Sequence, residues 1–503
     1  MRRHIFVLIL LVAVAMGLRF YRLGTHSYRG TEVGTIVVAS KPIPQLITTD
    51  IRCPFFRLIL HWWMKLLPNR EFTIRALSAI LGALSIIPLY FLASRLIDKK
   101  VALISVYLAS FSPLHILLSR TAEEFTLTIL LVGLSLFLFI YWCEEGKGFF
   151  WYIIVTILML YSGPLLFPIL VGEWIYFWLR WQTTKHKLKK WSIAQLIILA
   201  SYSYWIVIFF QELPGEWQAF DRLPVTSGIV VKAIYIFYTF SLGETVLPWN
   251  WKIVLPACYI FAGTAAFGLT RIKRKYRSLS FILVFLLLPL APIFTNRGAP
   301  EYCIAGSIAY YILLGIGIAG MKLLAFLPIL GSISFFNVYS LVNLYRDKEY
   351  HIQSFTDNWR LIAKYVQREC ADSEAVVVAY HGSFIWYYTQ VGTTPSKEHC
   401  DKLMMGAGEN LIALDIKNPN RTKAKLTSVD KILFVHTPGS GIFSSDDKGI
   451  YEFKEWLDKN FLCTHTSGFF ENEDYETKRK LLKRNFPHFR VEVFTYERRR
   501  ILE

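Results

Sequence analysis

The sequence predicts a mostly α-helical, polytopic membrane protein with about eleven transmembrane helices and a C-terminal soluble α/β domain. Three observations predict this fold class: the composition, a series of long apolar runs, and a change of pattern after residue 344. Of the 503 residues, 54% are hydrophobic and 18% are charged, whereas a soluble globular protein is about 45–50% apolar and about 25% charged. The composition therefore excludes a soluble enzyme, a disordered chain and a small disulfide-stabilised protein.

Apolar runs long enough to cross a membrane, about 20 residues each or fewer in a crowded bundle, define the architecture of residues 1–344. The first run follows Arg2 and Arg3, as in a signal peptide, but no small-x-small cleavage site follows it and Arg19 comes directly after. We therefore expect a retained first helix. The predicted spans are 4–20, 72–95, 101–119, 124–142, 149–162, 164–180, 192–210, 251–271, 279–296, 303–320 and 322–343.

The charges of the loops predict the orientation. With the N-terminus in the cytoplasm, seventeen Lys and Arg residues fall in cytoplasmic connections, against only Arg120 and Arg297 in the short loops of the opposite side. This asymmetry predicts a multi-pass protein of the cell (inner or plasma) membrane with a cytoplasmic N-terminus. Eleven crossings then place the C-terminal domain outside the cytoplasm. The seventeen cations are Arg2, Arg3, Arg95, Lys99, Lys100, Lys147, Arg180, Lys185, Lys187, Lys189, Lys190, Arg271, Lys273, Arg274, Lys275, Arg277 and Lys322.

Two outer segments, 21–71 and 211–250, are too long to be plain connectors. Residues 55–65 form an amphipathic stretch with tryptophans and basic residues, which suits a helix lying in the membrane interface. Segment 211–250 has tryptophans near its boundary as well. Long outer loops of this kind either build a functional site over the bundle or serve as simple interfacial anchors, and both interpretations stay open.

The C-terminal part, 345–503, changes from long apolar runs to short alternating elements. We predict helices over 359–370, 449–460 and 475–485, and strands over 375–380, 431–436 and 490–496. Strands interleaved with helices indicate a small layered α/β domain. The predicted domains are thus a transmembrane domain over 1–344 and an extracytoplasmic α/β domain over 345–503.

Charge and cysteine patterns exclude several classes of partner and cofactor. The net charge is +18, but residues 345–503 carry 24 Lys and Arg against 23 Asp and Glu. The excess therefore lies among the apolar segments, where it indicates membrane orientation rather than binding of nucleic acid. The seven cysteines show no CxxC or metal-ligand spacing, and no Walker or GxSxG motif is present. No cofactor is predicted; a divalent metal stays open, although the sequence does not indicate one.

Short motifs in the first quarter of the chain resemble a known family. Together with the eleven spans and the outer α/β domain, they resemble the GT-C glycosyltransferases, in the branch that contains protein O-mannosyltransferases and lipid A aminoarabinose transferases. The resemblance covers most of the chain, although its sharp motifs occupy only that first quarter. The motifs are Arg19-Phe-Tyr-Arg-Leu, Ser27-Tyr-Arg-Gly-Thr-Glu32, Arg52-Cys53-Pro54-Phe55-Phe56, Glu71-Phe72-Thr-Ile-Arg75-Ala-Leu-Ser78 and Ser112-Pro113-Leu114-His115-Ile-Leu-Leu-Ser119, with Asn358-Trp359-Arg360 at the start of the C-terminal part.

The resemblance implies an integral membrane glycosyltransferase. Such an enzyme moves a sugar from a polyprenyl-phosphate carrier to an acceptor lipid, glycan or protein on the outer face of the membrane. The expected partners are this lipid-linked donor, the acceptor and membrane lipids, with no nucleic acid. The site needs a carboxylate that deprotonates the acceptor or stabilises positive charge on the sugar. It also needs cations that hold the leaving phosphate.

The chain departs from the family pattern at several positions. The family's catalytic Asp falls on Thr31, and only the neighbouring acid, Glu32, is kept. The acid expected after the third helix falls on Thr121, and the next Arg position is Glu123. The resemblance therefore implies Glu32 and Glu123 as catalytic acids or bases and Arg52, Arg120 and Arg297 as ligands of the donor phosphate, with no metal ligands.

Each assignment has a structural alternative. Glu32 is then an ordinary solvated loop residue, and Glu123 and Glu124 stabilise the positive end of a helix. Arg52 snorkels to lipid headgroups in the same interpretation. Two other functions also stay open. One is a degenerate, non-catalytic membrane scaffold of the same fold, which the lost Asp favours, and the other is a transporter, although the spans show no inverted repeat.

Overall fold

The computed structural model describes residues 2–28, 30–49, 54–216, 228–272, 276–294, 299–346, 359–371, 375–379, 387–388, 411–414, 418–436, 447–469 and 491–499. The chain divides into two compact units. We call Met1–Leu23, Leu46–Pro68 and Phe72–Arg346 the helical unit, and Gly24–Gln45, Asn69–Glu71 and Asp347–Glu503 the α/β unit. Part of the predicted outer loop 21–71 thus groups with the C-terminal residues. The domain boundary after residue 344 stays a prediction.

Helices account for most of the described chain before residue 347. Short 3-10 helices at Pro164–Leu166, Lys185–Lys187, Leu288–Phe294 and Pro300–Cys303 connect some of them. The α-helices are α1 (Arg2–Phe20), α2 (Gly30–Ser40), α3 (Ile43–Thr49), α4 (Pro54–Leu66), α5 (Glu71–Leu84), α6 (Ile86–Leu96), α7 (Lys99–Ser110), α8 (Pro113–Leu118), α9 (Phe125–Glu145), α10 (Phe149–Leu160), α11 (Phe167–Leu179), α12 (Trp181–Thr184), α13 (Leu188–Glu216), α14 (Ile229–Leu242), α15 (Trp251–Arg271), α16 (Tyr276–Leu287), α17 (Gly306–Ala319) and α18 (Leu323–Tyr345).

Five stretches of helix in the described residues are long and apolar enough to cross a membrane. They are Arg3–Phe20, Glu71–Leu96, Phe125–Glu145, Trp251–Arg271 and Leu323–Tyr345. The other predicted spans also fall on helices, but these do not meet the same criterion within the part of the chain that the structure describes. The mostly helical fold is therefore confirmed, while the total of eleven spans stays a prediction.

Two predicted spans are broken where the sequence carries proline. The span 101–119 divides into α7 and α8, because Ser112 caps the second helix by accepting the main-chain N–H of His115 at 3.3 Å and Pro113 occupies its first position. In the span 279–296, α16 gives way to a 3-10 helix that contains Pro289 and Pro292. Proline cannot donate the helical hydrogen bond, so the apolar run continues while the α-helix does not.

Glycines let two helices of the bundle approach closely. A Cβ atom on Gly317 of α17 would lie 2.3 Å from the carbonyl oxygen of Thr264 in α15. A Cβ atom on Gly268 of α15 would lie 2.6 Å from the carbonyl oxygen of Leu313. Lipid provides no hydrophobic driving force between helices, so their association depends on close van der Waals packing, which small residues at the crossing allow. This contact fixes the distance between α15 and α17.

The α/β unit contains a five-stranded mixed sheet. Its strands are β1 (Val376–Ala379), β2 (Leu411–Ala413), β3 (Lys431–His436), β4 (Phe461–Phe469) and β5 (Val491–Arg498), in the order β2-β1-β3-β5-β4. β1 pairs in parallel with β2 and β3, and β5 pairs antiparallel with β3 and β4. The helices of this part are α19 (Trp359–Ala371), α20 (Pro419–Lys425) and α21 (Asp447–Asn460). Side chains of β3 such as Ile432 and Phe434 are buried against α21, which explains the continuous apolar run.

The sequence predictions for the C-terminal part are confirmed for α19, α21, β1, β3 and β5. The predicted helix over 475–485 lies outside the described residues. β2 and β4 were not predicted, because three residues carry too little pattern and β4 is mostly exposed. The soluble, extracytoplasmic character of this part stays a prediction.

Candidate functional site

Glu32 lies in the first turn of α2, within the α/β unit. Its side chain is fully buried (0% exposed), whereas Thr31, at the position of the family's Asp, is exposed. The first turn of a helix favours a negative charge, because its main-chain N–H groups have no partner within the helix. The alternative of a solvated loop carboxylate is therefore wrong for Glu32.

Three tyrosines of the α/β unit, Tyr28, Tyr387 and Tyr388, form a cluster around the segment that precedes α2. The ring of Tyr28 packs edge-to-face against Tyr387, with centroids 5.6 Å apart, and stacks on Tyr388 at 6.2 Å. The main-chain N–H of Tyr28 donates to the hydroxyl oxygen of Tyr388 at 2.7 Å. These contacts hold the residues before α2 against residues that lie more than 350 positions later in the sequence.

The hydroxyl group of Tyr387 feels the charges of Glu32 and of a second acid, Glu71. Burial raises the pKa of Tyr387 above its usual range, and the carboxylates of Glu71 and Glu32 raise it further. Both carboxylates therefore lie within electrostatic reach of one phenol, which stays protonated and able to donate a hydrogen bond. Sequence reasoning gave Glu71 no catalytic or binding role. Glu71 begins one of the family-like motifs, but an acid at the start of α5 is explained by the helix dipole and indicates no chemistry by itself.

Arg360, in the first turn of α19, fixes the same segment. Its Nε lies 3.4 Å from Oε1 of Glu71, and the hydroxyl of Tyr388 donates to that oxygen at 3.2 Å. Its Nη2 donates to the carbonyl oxygen of Thr25 at 2.6 Å, and its main-chain N–H donates to Oγ of Ser27 at 3.4 Å. The Trp359-Arg360 motif thus has a structural role beside the residues that precede Glu32.

In the helical unit, Arg120 and Glu123 lie between α8 and α9. Arg120 is mostly buried and donates from Nη1 to the carbonyl oxygen of Tyr21 at 2.8 Å and from Nη2 to that of Arg22 at 3.2 Å. Its guanidinium also lies over the ring of Tyr345, 5.0 Å from the centroid. These contacts bind the chain that leaves α1 to the start of α9.

The side chain of Glu123 is mostly buried. The main-chain carbonyl oxygen of Glu123 accepts a hydrogen bond from the hydroxyl of Ser78 at 3.3 Å. Glu124 occupies the position before α9, but its side chain makes no capping hydrogen bond. Glu124 still lies at the end of α9 where the helix dipole favours an acid, so the helix-end alternative stays open for this residue. For Glu123, catalysis stays a prediction.

The predicted site residues are distributed as follows. Glu32 belongs to the α/β unit, and Arg120 and Glu123 belong to the helical unit. Arg52 and Arg297 lie outside the described residues, so their assignment to the donor phosphate stays a prediction. Across the described ranges, no group of three or more His, Cys, Asp or Glu is placed to hold a metal ion.

A buried polar network crosses the core of the helical unit. Arg19 of α1 is fully buried and donates from Nε to Oγ of Ser119 at 3.0 Å and from Nη1 to the carbonyl oxygen of Ala15 at 3.1 Å. Nε2 of His115 lies 2.8 Å from Oγ of Ser307 in α17. These contacts give His115, a residue of the family-like motif 112–119, a structural role in the core. They also show that Arg19, which begins one of the family-like motifs and follows the first apolar run, is part of the core.

Glu173 of α11 is held by hydroxyl groups from neighbouring helices. The hydroxyl of Tyr152 donates to Oε2 at 2.5 Å, and the hydroxyl of Ser135 donates to Oε1 at 3.4 Å. The side-chain amide of Gln195 in turn donates to the Tyr152 oxygen at 2.9 Å. This network connects α9, α10, α11 and α13, and it gives Glu173 the partners that the sequence alone did not identify.

Comparison with known proteins agrees with this architecture. Residues 51–208 match the family described as dolichyl-phosphate-mannose-protein mannosyltransferase. ArnT from Cupriavidus metallidurans in the apo state superposes with a TM-score of 0.55 at 11% identity, over 97% of each chain. The same protein bound to undecaprenyl phosphate gives a TM-score of 0.52 at 11% identity, again over 97% of each chain.

A second solved protein shares the fold. The archaeal oligosaccharyltransferase AglB from Archaeoglobus fulgidus, in complex with an inhibitory peptide and a dolichol-phosphate, gives a TM-score of 0.51 at 12% identity, over 86% of this chain and 69% of that one. No curated protein sequence matches the chain. The chain thus has the fold of GT-C glycosyltransferases, with long apolar helices that suit a membrane protein. The family resemblance predicted from the sequence is confirmed.

Proposed function

We propose that the protein is an integral membrane glycosyltransferase that moves a sugar from a polyprenyl-phosphate carrier to an acceptor on the outer face of the membrane. The observation that carries the proposal is Glu32, a carboxylate with no exposed surface in the first turn of a helix. It stands beside the position of the catalytic acid in the family whose fold the chain shares.

In the proposed step, Glu32 is the general base. The acceptor hydroxyl oxygen forms a bond to the anomeric carbon of the sugar, and its proton passes to the Glu32 carboxylate. The bond between the anomeric carbon and the carrier phosphate oxygen breaks, and its electron pair leaves with the phosphate. The products are the glycosylated acceptor and polyprenyl phosphate, and Glu32 then returns its proton to water. Glu123 is the second candidate for this base.

The leaving phosphate gains charge in the transition state, so cations that contact it accelerate the step. We assign this role to Arg52, Arg297 and Arg120. Both terminal nitrogens of Arg120 donate to main-chain carbonyls, so we expect Arg120 to contribute its charge rather than a bidentate fork to phosphate. Arg52 is therefore the first residue to test for direct contact with the donor.

One observation favours a second candidate function, a non-catalytic membrane scaffold. Thr31 stands where the family has its catalytic Asp, and a threonine hydroxyl is far too weak a base at neutral pH. In this alternative the fold is retained without transfer, and Glu32 serves only the structure of the α/β unit.

The lipid bound to the purified protein tests the proposal. Mass spectrometry of the protein extracted from its native membrane should detect a polyprenyl phosphate or its glycosylated form. A variant that carries Arg52→Ala and Arg297→Ala, purified in parallel, controls for lipid retained without specificity and should carry less. Absence of polyprenyl phosphate from the wild type would contradict the proposed donor, whereas equal amounts in both proteins would contradict the assignment of Arg52 and Arg297 to its phosphate.

A further inference from the structure

We propose that Tyr388 is a positioning residue for Glu32, acting through a chain of hydrogen bonds that also includes Glu71 and Arg360. The inference rests on the proposed function, because it assumes that Glu32 is the base. It adds residues from the C-terminal part of the chain to the machinery of a site that the sequence places in the first outer loop.

The chain of contacts is continuous. Arg360 Nε lies 3.4 Å from Oε1 of Glu71, and the Tyr388 hydroxyl donates to the same oxygen at 3.2 Å. The Tyr388 oxygen then accepts the main-chain N–H of Tyr28 at 2.7 Å. A hydroxyl that donates to a carboxylate becomes a stronger acceptor, so the two hydrogen bonds of Tyr388 reinforce each other.

These contacts end four residues before Glu32. Arg360 also binds the carbonyl oxygen of Thr25 at 2.6 Å and Oγ of Ser27 at 3.4 Å. The segment 25–28 is thus held at three points just before α2 begins, and Glu32 lies in the first turn of that helix. A base must stand within hydrogen-bond distance of the proton that it takes. Displacement of a reacting group by about 1 Å can cost a hundredfold in rate.

The position of Tyr388 fits this role better than a purely packing role. Its ring stacks on Tyr28 at 6.2 Å, and a phenylalanine at position 388 preserves the shape of this contact. The hydroxyl, which phenylalanine lacks, joins the main-chain N–H of Tyr28 to the ion pair of Glu71 and Arg360. Its removal leaves the main-chain donor of a buried residue without that acceptor.

The experiment compares Tyr388→Phe with a matched control, Tyr496→Phe. Tyr496 is fully buried in the same unit and donates a hydroxyl hydrogen bond to Asp458 at 2.6 Å, so both changes remove one hydroxyl from the α/β unit. In proteoliposomes supplied with undecaprenyl-phosphate mannose, glucose or galactose, the release of undecaprenyl phosphate is followed by mass spectrometry. For the donor that the wild type consumes, Tyr388→Phe should lower kcat about tenfold or more and leave KM for the donor within about twofold. Tyr496→Phe should leave both unchanged within about twofold.

Glu71 provides a second, independent pair of variants. Glu71→Gln keeps an oxygen that accepts the Tyr388 hydroxyl and should retain most of the activity. Glu71→Leu removes the acceptor and should reproduce the loss in kcat. Hydrogen–deuterium exchange over residues 24–40 gives a readout that needs no donor. Exchange there should rise in Tyr388→Phe and Glu71→Leu, and should not rise in Tyr496→Phe.

The outcomes separate this inference from the proposed function. If Tyr388→Phe and Glu71→Leu match Tyr496→Phe in kcat and in exchange over 24–40, the positioning role is refuted, even when Glu32→Gln is inactive. If Glu32→Gln is fully active, the proposed base is wrong. In that case increased exchange in Tyr388→Phe still shows that the hydroxyl holds the start of α2.

Discussion

Replacing Gly82 of α5 with alanine should destabilise the helical unit by about 1.5–5 kcal/mol. A Cβ atom at this position would lie 2.1 Å from Oγ of Ser119, 3.0 Å from its Cβ and 3.2 Å from Nε of Arg19. Ser119 Oγ is the atom that accepts the Arg19 hydrogen bond at 3.0 Å. The added methyl group therefore displaces the partner of a fully buried guanidinium.

The magnitude follows from three contributions. Overpacking a tight core costs about 1–3 kcal/mol, and loss of a hydrogen bond to a charged group costs about 1.5–3 kcal/mol. The higher helix propensity of alanine than of glycine offsets about 1 kcal/mol of this loss of stability. The control is Gly17→Ala in α1, where none of the described residues beyond the local helix backbone lies within 4 Å of the added Cβ. This change should keep or slightly raise stability.

The assay is the apparent midpoint of thermal unfolding in detergent, followed by the fluorescence of the 15 tryptophans. Gly82→Ala should lower the midpoint by several degrees relative to Gly17→Ala. In a Ser119→Gly background, the same Gly82→Ala change should cost much less, because the side chain that it meets is gone. Equal midpoints for Gly82→Ala and Gly17→Ala would refute the packing that the structure shows around Arg19.

Three further predictions address topology, donor binding and pH. A green fluorescent protein fused after Glu503 should stay dark while a phosphatase that is active only in the periplasm works there, and the opposite pattern would contradict the predicted outer C-terminus. Arg52→Ala should weaken binding of undecaprenyl phosphate about tenfold to a hundredfold, since it removes a contact to a charged group worth about 1.5–3 kcal/mol. Arg52→Lys should lose less affinity. Unchanged affinity of Arg52→Ala in titrations with the lipid would remove Arg52 from the phosphate site. The pKa of Asp458 lies below its usual range because hydrogen bonds from Lys454 and Tyr496 outweigh the effect of partial burial. The carboxylate therefore stabilises the fold at pH values above the usual aspartate pKa, and this contribution is lost as the pH falls through the lowered pKa of Asp458. Wild type and Asp458→Asn should therefore differ in thermal midpoint at neutral pH and have the same midpoint in acid.

The helices of the bundle could be predicted from the sequence because an apolar segment in lipid finds no water for its backbone N–H and C=O groups. A segment within the hydrocarbon must satisfy its hydrogen bonds internally, so long apolar runs such as 124–142 and 251–271 correspond closely to α9 and α15. α14 was missed because its 14 residues fall short of a span. α2 was missed because its sequence, GTEVGTIVVAS, is rich in glycine and β-branched residues that disfavour an isolated helix.

The surroundings of Glu32 could be predicted only in part. The resemblance pointed to Glu32 from its position after the first helix, and the structure adds its burial. The contacts of Glu71 with Tyr388 and Arg360 join residues about 300 positions apart. No periodicity or motif spacing in a single sequence connects such residues, because only the tertiary fold brings them together. The burial of Arg19 was hidden for the same reason.

The most direct test of the account is transfer by Glu32→Gln compared with wild type. Glutamine keeps the size of the side chain and most of its hydrogen bonding but removes the charge. Release of undecaprenyl phosphate from the donor that the wild type consumes should fall about 10²–10⁴-fold, with donor binding and thermal midpoint unchanged. Thr31→Asp, which restores the family's acid, should keep or raise the rate. Full activity of Glu32→Gln would contradict the assignment of Glu32 as the base. A wild type without transfer activity, together with an active Thr31→Asp variant, would contradict the claim that the protein is an active enzyme.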